Sequence, residues 1–444
     1  MLGRVVIVDI FAILVIFIQV SLLLLAINVF TKKPFDVGTL FVFLFIFFYA
    51  IPAWDFYFNG ELFLKEILDY HVGYKNESIG LYLIFITTLI MLSFYIGYLF
   101  MMKLLGKKDR INNKYNIVYK NYNIVATSLM FFWLGIFLYS LSKYDQSLWL
   151  FFSPSRKEGV FESEYISTLY LLIPLTLFIL KVLKDFIEVE KVRLTTLYLI
   201  LPILLIYMTS GQRREIINLI IFIFVFLTHI GIEKIKKRKK LNETSYKRSR
   251  ILQLGVLSIL LIPILWWARV LSTQLQRNDL NIIMPWQRRG FMELLFGSSS
   301  GGFKTLLLGL EHKEIFGLPW GYSIYFFFTS IVPRSIMEDK PIIINKLWER
   351  DFYLKGNPST FYINEMYINF GVSSIFFSGI FGLVFSYFYN KLYNSRSIIR
   401  NVFAFLIFSN VILLFKNGFT QFFIIMLMTL TVVGFSCKSI IRKV

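Results

Sequence analysis

Runs of about 20 apolar residues recur along this chain, and they constrain its fold more than any other feature. An α-helix of roughly 20 residues crosses a hydrocarbon core about 30 Å thick. Because the backbone of a segment in lipid must satisfy its own hydrogen bonds, these runs are expected to be helical. Hydrophobic residues make up 57% of the 444 residues and charged residues only 17%, against about a quarter in soluble domains. The sequence therefore predicts an all-α, polytopic membrane protein.

About eleven transmembrane helices can be drawn from these runs. Their approximate ranges are 5–31, 37–53, 80–102, 124–141, 165–183, 193–209, 215–232, 251–268, 367–389, 398–415 and 418–436. This pattern divides the chain into three regions, with eight helices in 1–268, a large loop in 269–366 and three helices in 367–444. Two apolar stretches inside the loop, 290–311 and 320–332, predict short helices at the membrane surface.

The distribution of Lys and Arg predicts the orientation of these helices. The segment after the third helix and the segment 233–250 are strongly basic, which is typical of cytoplasmic loops. With both segments inside, the other short basic loops also fall inside, the N-terminus lies outside and the C-terminus lies in the cytoplasm. The loop 269–366 then lies outside, since loops longer than about 60 residues largely escape the charge rule. We expect a bacterial cytoplasmic (inner) membrane location.

Composition also excludes several classes of function. The net charge of +20 lies largely in short loops between spans, so it indicates membrane topology rather than nucleic-acid binding. Cys437 is the only cysteine, and the three histidines are scattered; no zinc-like spacing is present. We therefore expect neither a metal nor another cofactor.

Basic residues at the predicted outer face form the first set of candidate site residues. Arg213 and Arg214 follow Gly211 in a tight turn between two helices, where a planar guanidinium can hold a phosphate bidentately. The alternative is that both arginines extend to the membrane surface and contact lipid phosphates. The remaining candidates for substrate contact are Arg156, Arg269, Arg289, Arg334 and Lys340. Ordinary salt bridges with nearby carboxylates are the alternative for these residues.

A second candidate set lies where the large loop rejoins the membrane, in the segment Glu365 to Gly371. Glu365 could act as a general base, or it could be a carboxylate that complements the N-terminus of its own helix. Tyr367 and Asn369 are further candidates for substrate binding. His312, in the loop, is the other possible base, although a lone loop histidine is more often simply solvated.

These residues resemble motifs of the bacterial oligosaccharide repeat-unit polymerases, also called O-antigen or Wzy-type polymerases. Arg213 after small residues, Pro333-Arg334 followed by Lys340-Pro341, and Glu365-x-Tyr367-x-Asn369-Phe370-Gly371 carry the resemblance. It implies a fold similar to the GT-C-like fold of O-antigen polymerases and ligases. It also implies transfer of a growing glycan from undecaprenyl pyrophosphate to a new lipid-linked repeat unit. The implied partners are those lipid-linked donors and acceptors, membrane lipids and a chain-length regulator protein.

In that reaction the leaving group is already a pyrophosphate. The implied roles are therefore stabilisation of its charge by Arg213 and Arg334 and acceptance of the hydroxyl proton by Glu365. Two alternatives stay open: an O-antigen ligase-like transferase and a transporter or flippase of lipid-linked glycans. The ligases tend to rely on a loop histidine, and His312 has no convincing surroundings. No pair of spans in matching positions appears broken by Gly or Pro, which disfavours a transporter.

Overall fold

The computed structural model describes the helices that form most of the predicted first and last membrane regions. The residues described are 2–33, 36–54, 57–58, 77–105, 117–119, 121–143, 164–189, 321–330, 361–395 and 398–443, with isolated positions between 196 and 226 and between 303 and 344. Five helices in this part of the chain are long and apolar enough to cross a membrane. The described protein is almost entirely helical, which confirms the predicted all-α membrane class.

The helices follow one another in chain order with short strands at two points. They are α1 (Leu2–Lys32), α2 (Val37–Phe45) with a π-helical segment (Ile46–Ala50), α3 (Glu77–Leu104), β1 (Ile117–Tyr119), α4 (Tyr122–Ser142), α5 (Glu164–Val189), α6 (Tyr322–Ser330), α7 (Tyr362–Phe370), a 3₁₀ turn (Gly371–Ser373), α8 (Ser374–Tyr393), α9 (Ile398–Ser409), α10 (Val411–Ile440) and β2 (Ile441–Lys443). The first five predicted spans coincide with helical segments, and α6 lies within the surface helix predicted at 320–332.

The structure differs from the approximate bounds of two of the last three predicted spans. The span predicted at 367–389 begins earlier, at Tyr362, and is broken into α7 and α8 by the turn at Gly371. In the span predicted at 398–415, α9 ends at Ser409 and α10 begins two residues later. Within α10 the backbone of Gly418 is non-helical, with φ 83° and ψ 172°. α10 therefore joins two helices at Gly418, where the sequence predicts a tight turn between the last two spans.

The chain forms two compact units, and the first contains residues 1–109, 285–394 and 410–424. Its centre is the pair of helices α3 and α8, whose backbones are in direct contact. A Cβ on Gly382 would overlap the carbonyl oxygen of Phe94, and one on Gly97 would overlap the carbonyl oxygen of Gly379. Small residues at helix interfaces allow this close approach in membranes.

A stripe of small or polar residues on α8 makes this approach possible. Its members recur every fourth position and are all buried: Ser374, Ser378, Gly382, Ser386 and Asn390. The Ser378 hydroxyl donates to the Ile90 carbonyl (2.9 Å) and the Ser386 hydroxyl to the Tyr98 carbonyl (2.8 Å). Both contacts advance by eight residues on both helices, so α3 and α8 run parallel. The predicted topology likewise gives these two spans the same direction.

The N-terminus of α2 is held to the same pair by Asp36. Its carboxylate accepts from the Thr39 N–H (2.9 Å), as an N-cap does, and from the Tyr98 hydroxyl on α3 (2.9 Å). Burial raises the pKa of the Asp36 carboxyl, and the hydrogen bonds from Thr39 and Tyr98 oppose that rise. This single carboxylate therefore caps the N-terminus of α2 and links α2 to α3.

The second unit contains residues 110–284, 395–409 and 425–444. In it, α4 and α5 pack side by side, with the Trp133 indole N–H donating to the Tyr170 carbonyl (3.0 Å). Strands β1 and β2 pair antiparallel, with Val118 opposite Arg442. This pairing joins the C-terminus to the segment that follows α3. The topology prediction puts these two segments on one face of the membrane, and sidedness itself stays a prediction.

We predict that Gly382→Ala destabilises the protein by about 1–3 kcal/mol, the usual cost of overpacking a close interface. The new methyl group meets backbone, which cannot rotate away. The matched control is Gly135→Ala in α4, where an added Cβ has no neighbour within 4 Å. Thermal unfolding of the detergent-purified variants checks the difference. Equal losses for both variants would contradict a backbone contact between α3 and α8.

Candidate functional site

A buried polar cluster lies where α6, α7 and the break in α10 meet, all within the first unit. Its members are Ser323, Glu365, Asn369 and Thr420, each no more than 3% exposed. In a membrane protein such buried polar residues are costly to place and often functional. The cluster therefore is the strongest candidate site in the part of the chain that the structure describes.

Helix α7 carries two members of the cluster and is buried on nearly all of its faces. The Tyr362 hydroxyl lies 2.9 Å from the Ser378 hydroxyl, which itself bonds to α3. The Tyr49 hydroxyl, from the π-helical segment, donates to the side-chain oxygen of Asn364 (2.9 Å). Rings of Phe41, Phe94 and Phe381 surround Tyr362. These contacts fix the helix that carries the candidate base.

Glu365 supplies a cap to a helix that is not its own. Its carboxylate accepts from the Thr420 hydroxyl and, at 3.4 Å, from the Thr420 backbone N–H. Thr420 is the second residue of the helical part of α10 that follows Gly418. The first N–H groups of a helix have no partner within it, and a carboxylate there also complements the helix dipole. The charge of Glu365 is therefore compensated by the start of this second half of α10.

Asn369 does the same for α6, one helical turn further along α7. Its side-chain oxygen accepts from the Ser323 N–H (2.7 Å), and Ser323 is the second residue of α6. The Asn369 amide group donates to the Ser323 hydroxyl (2.9 Å) and to the Glu365 carbonyl (2.5 Å). Residues four apart share a helix face, so α7 presents two caps to two converging helix N-termini.

Gly418 is required at this point for two separate reasons. Its φ of 83° lies in the region that favours glycine. A Cβ at this position would overlap the Glu365 carboxylate. The missing side chain thus allows the carboxylate to lie against the α10 backbone, and the break exposes the N–H groups that it accepts.

Three of the predicted site residues lie in the described part of the chain. Glu365 and Asn369 are brought together in the cluster, whereas Tyr367 lies beside Tyr82 of α3, apart from it. Arg156, Arg213, Arg214, Arg269, Arg289, Arg334, Lys340 and the alternative base His312 lie outside the described residues. Their placement at the site stays a prediction.

Sequence reasoning missed Ser323 and Thr420. The signal for Thr420 was present, because a Thr two residues after a Gly at a break is typical of a helix start. Ser323 carried no such signal, because its N–H finds its cap 46 residues away in the sequence. No group of His, Cys, Asp or Glu that could hold a metal ion occurs among the described residues, and the expectation of no metal or cofactor stays a prediction.

Comparison with known proteins found no matching family, no matching curated protein and no matching solved structure.

We predict that Thr420→Val lowers the free energy of unfolding by about 1–3 kcal/mol, because it removes a donor from a buried carboxylate without changing side-chain shape. Thr429→Val is the matched control: Thr429 is equally buried, but its hydroxyl donates to the Ile425 carbonyl of its own helix. Chemical unfolding of both variants in the same detergent measures the difference. A loss in Thr429→Val as large as that in Thr420→Val would contradict this role for Thr420.

Proposed function

We propose that this protein is a membrane glycosyltransferase that polymerises lipid-linked oligosaccharide repeat units into a surface polysaccharide, such as O-antigen or capsule. The observation that carries the proposal is the buried, hydrogen-bonded carboxylate of Glu365, built where the predicted outer loop rejoins the membrane. A carboxylate placed only to complement its own helix would not need a partner from another helix.

The reaction that we propose transfers a glycan from undecaprenyl pyrophosphate to the hydroxyl of a new repeat unit. The acceptor hydroxyl gives its proton to the Glu365 carboxylate, and its oxygen attacks the anomeric carbon of the donor. The bond from that carbon to the pyrophosphate oxygen breaks, and the electron pair remains on the phosphate. Arg213 and Arg334 stabilise this charge, with Arg214, Arg269, Arg289, Arg156 and Lys340 as further phosphate contacts. Each charged contact contributes about 1.5–3 kcal/mol.

The proposal includes the finer features of the fold and location. We place eleven spans in a GT-C-like arrangement, in the cytoplasmic membrane, with the loop 269–366 and the N-terminus outside. The chemistry needs no nucleotide sugar, redox cofactor or metal, because the pyrophosphate is already activated. The partners are the lipid-linked donor and acceptor, membrane lipids and a chain-length regulator.

A transporter or flippase of lipid-linked glycans is the second candidate, and one observation favours it. The span Tyr362–Tyr393 is broken at Gly371, and polar side chains of α7 meet the N-termini of two other helices. Discontinuous helices of this kind form substrate sites in many transporters.

Deletion of the gene separates the two candidates. We expect the surface polysaccharide ladder to disappear on a gel while single repeat units remain attached to the acceptor, because export and ligation are intact. Loss of the single-unit form as well would contradict a polymerase and support a flippase or a ligase.

We predict that Glu365→Gln, Arg213→Ala and Arg334→Ala each lower polymerisation at least 100-fold, the low end of the contribution of a general base and of a group that stabilises developing charge. Gln keeps the shape of Glu and one acceptor oxygen but cannot take up the proton. Ladder length in the deletion strain, with membrane levels measured by immunoblot, gives the result. Arg400→Ala, at the predicted inner face, is the control and should restore a full ladder.

A full ladder from all three site variants would contradict the assigned residues. A full ladder from Glu365→Gln alone would remove the base role while leaving the arginines in place.

A further inference from the structure

The Glu365 carboxylate is the joint between α7 and the second half of α10. An ionised carboxylate only accepts hydrogen bonds, and it offers two oxygens. Here one oxygen accepts from the Thr420 hydroxyl and the other from the Thr420 N–H. Both oxygens are therefore engaged by the same residue, and both contacts depend on the acceptor character of the carboxylate.

The backbone on each side of this joint is held in an unusual conformation. Gly418 has φ 83°, and Phe361, the residue before α7, has φ 53°. Positive φ is uncommon for a bulky residue such as Phe, and strain of this kind persists only where surrounding contacts impose it. One such contact is the bond from the Phe361 N–H to the Lys416 carbonyl (2.9 Å). A strained Phe361 and a turn that only glycine adopts readily thus lie on either side of one hydrogen-bonded carboxylate.

The groups around the carboxylate that can change charge are few within the described residues. Tyr362 lies on the same helix and interacts electrostatically with Glu365. Tyr49 from the π-helical segment contacts the adjacent Asn364. The α6 side contributes the Ser323 hydroxyl, which is neutral, and α10 contributes Thr420 and, two residues before the break, Lys416. The two tyrosines are neutral near neutral pH.

We propose that Glu365 is a proton-controlled latch that closes the break at Gly418 when ionised and releases it when protonated. Addition of a proton turns one carboxylate oxygen into a hydroxyl, so the charge-assisted hydrogen bonds from Thr420 become weaker, neutral ones. The same proton removes the negative charge that complements the N-terminus of this half-helix. The strained backbone at Phe361 is then free to relax. The proton comes from water or from any proton-releasing reaction, and the latch does not depend on the proposed polymerase activity.

This latch would regulate the site rather than perform its chemistry. In the polymerase, protonation of Glu365 by the acceptor hydroxyl would open the break after each transfer. In a transporter, it would couple an open state to a proton gradient. The structural consequence is the same in both: the amides that follow Gly418 are held less strongly when Glu365 is neutral.

Hydrogen–deuterium exchange of the full-length protein in lipid nanodiscs tests the latch directly. We expect the amides of residues 419–421 to exchange at least tenfold faster in Glu365→Gln than in the wild type at neutral pH, because Gln has no charge and only one acceptor oxygen. In the wild type, exchange corrected for its intrinsic pH dependence should rise by the same factor as pH falls and Glu365 takes up a proton. Thr429→Val is the matched control and should keep the wild-type pattern.

Two results would overturn the proposal. One is corrected exchange in the wild type that does not change with pH, whatever the variant does. The other is equal protection of residues 419–421 in the wild type and Glu365→Gln. If Glu365→Gln does not insert stably, the wild-type pH series decides alone. If Glu365→Gln gives no ladder but unchanged exchange, the latch is contradicted and the role of Glu365 as a base is supported. If it gives altered exchange and a full ladder, the latch is supported and the base role is contradicted.

Discussion

The direct contact between the backbones of α3 and α8 is the interaction on which the described first unit depends. Lipid offers no hydrophobic gain for helix association, so close packing and hydrogen bonds must supply it. The stripe of small residues on α8 supplies close packing and hydrogen bonds. Gly382 has no side chain and so allows the close approach, while the Ser378 and Ser386 hydroxyls donate to α3 carbonyls. Helix α7 is then anchored on this pair through Tyr362, and α2 through Asp36 and Tyr98.

A second constraint is the cost of a carboxylate in this environment. Isolated charges in lipid are expensive, and Glu365 meets this cost without a cationic partner among its hydrogen bonds in the described structure. It uses a threonine and the start of a helix. Such a helix start lies beside Glu365 because Gly418 separates two helices within α10. The broken helix and the buried acid therefore require each other, and neither would be stable in this form alone.

Hydropathy was sufficient to predict the membrane class and the position of most described helices, because a transmembrane helix requires a continuous run of apolar residues that can be identified locally in the sequence. The break at Gly371 was not predicted, whereas the step at Asn417–Gly418 was predicted as a turn between two helices. Glu365 was singled out from the sequence, and one alternative was that it complements a helix N-terminus. The helix it complements is a different one, 55 residues later in the chain, which no local pattern reveals.

The parallel pairing of α3 and α8 also has a consequence for how the protein is made. The partners lie 288 positions apart in the chain, so α3 enters the membrane long before α8 is synthesised. Contacts of such separation form late and slowly. During that interval the face of α3 that carries Gly97 has no α8 to cover it, and the Ile90 and Tyr98 carbonyls lack the hydroxyl donors of Ser378 and Ser386. This face of α3 is therefore exposed until α8 has been synthesised.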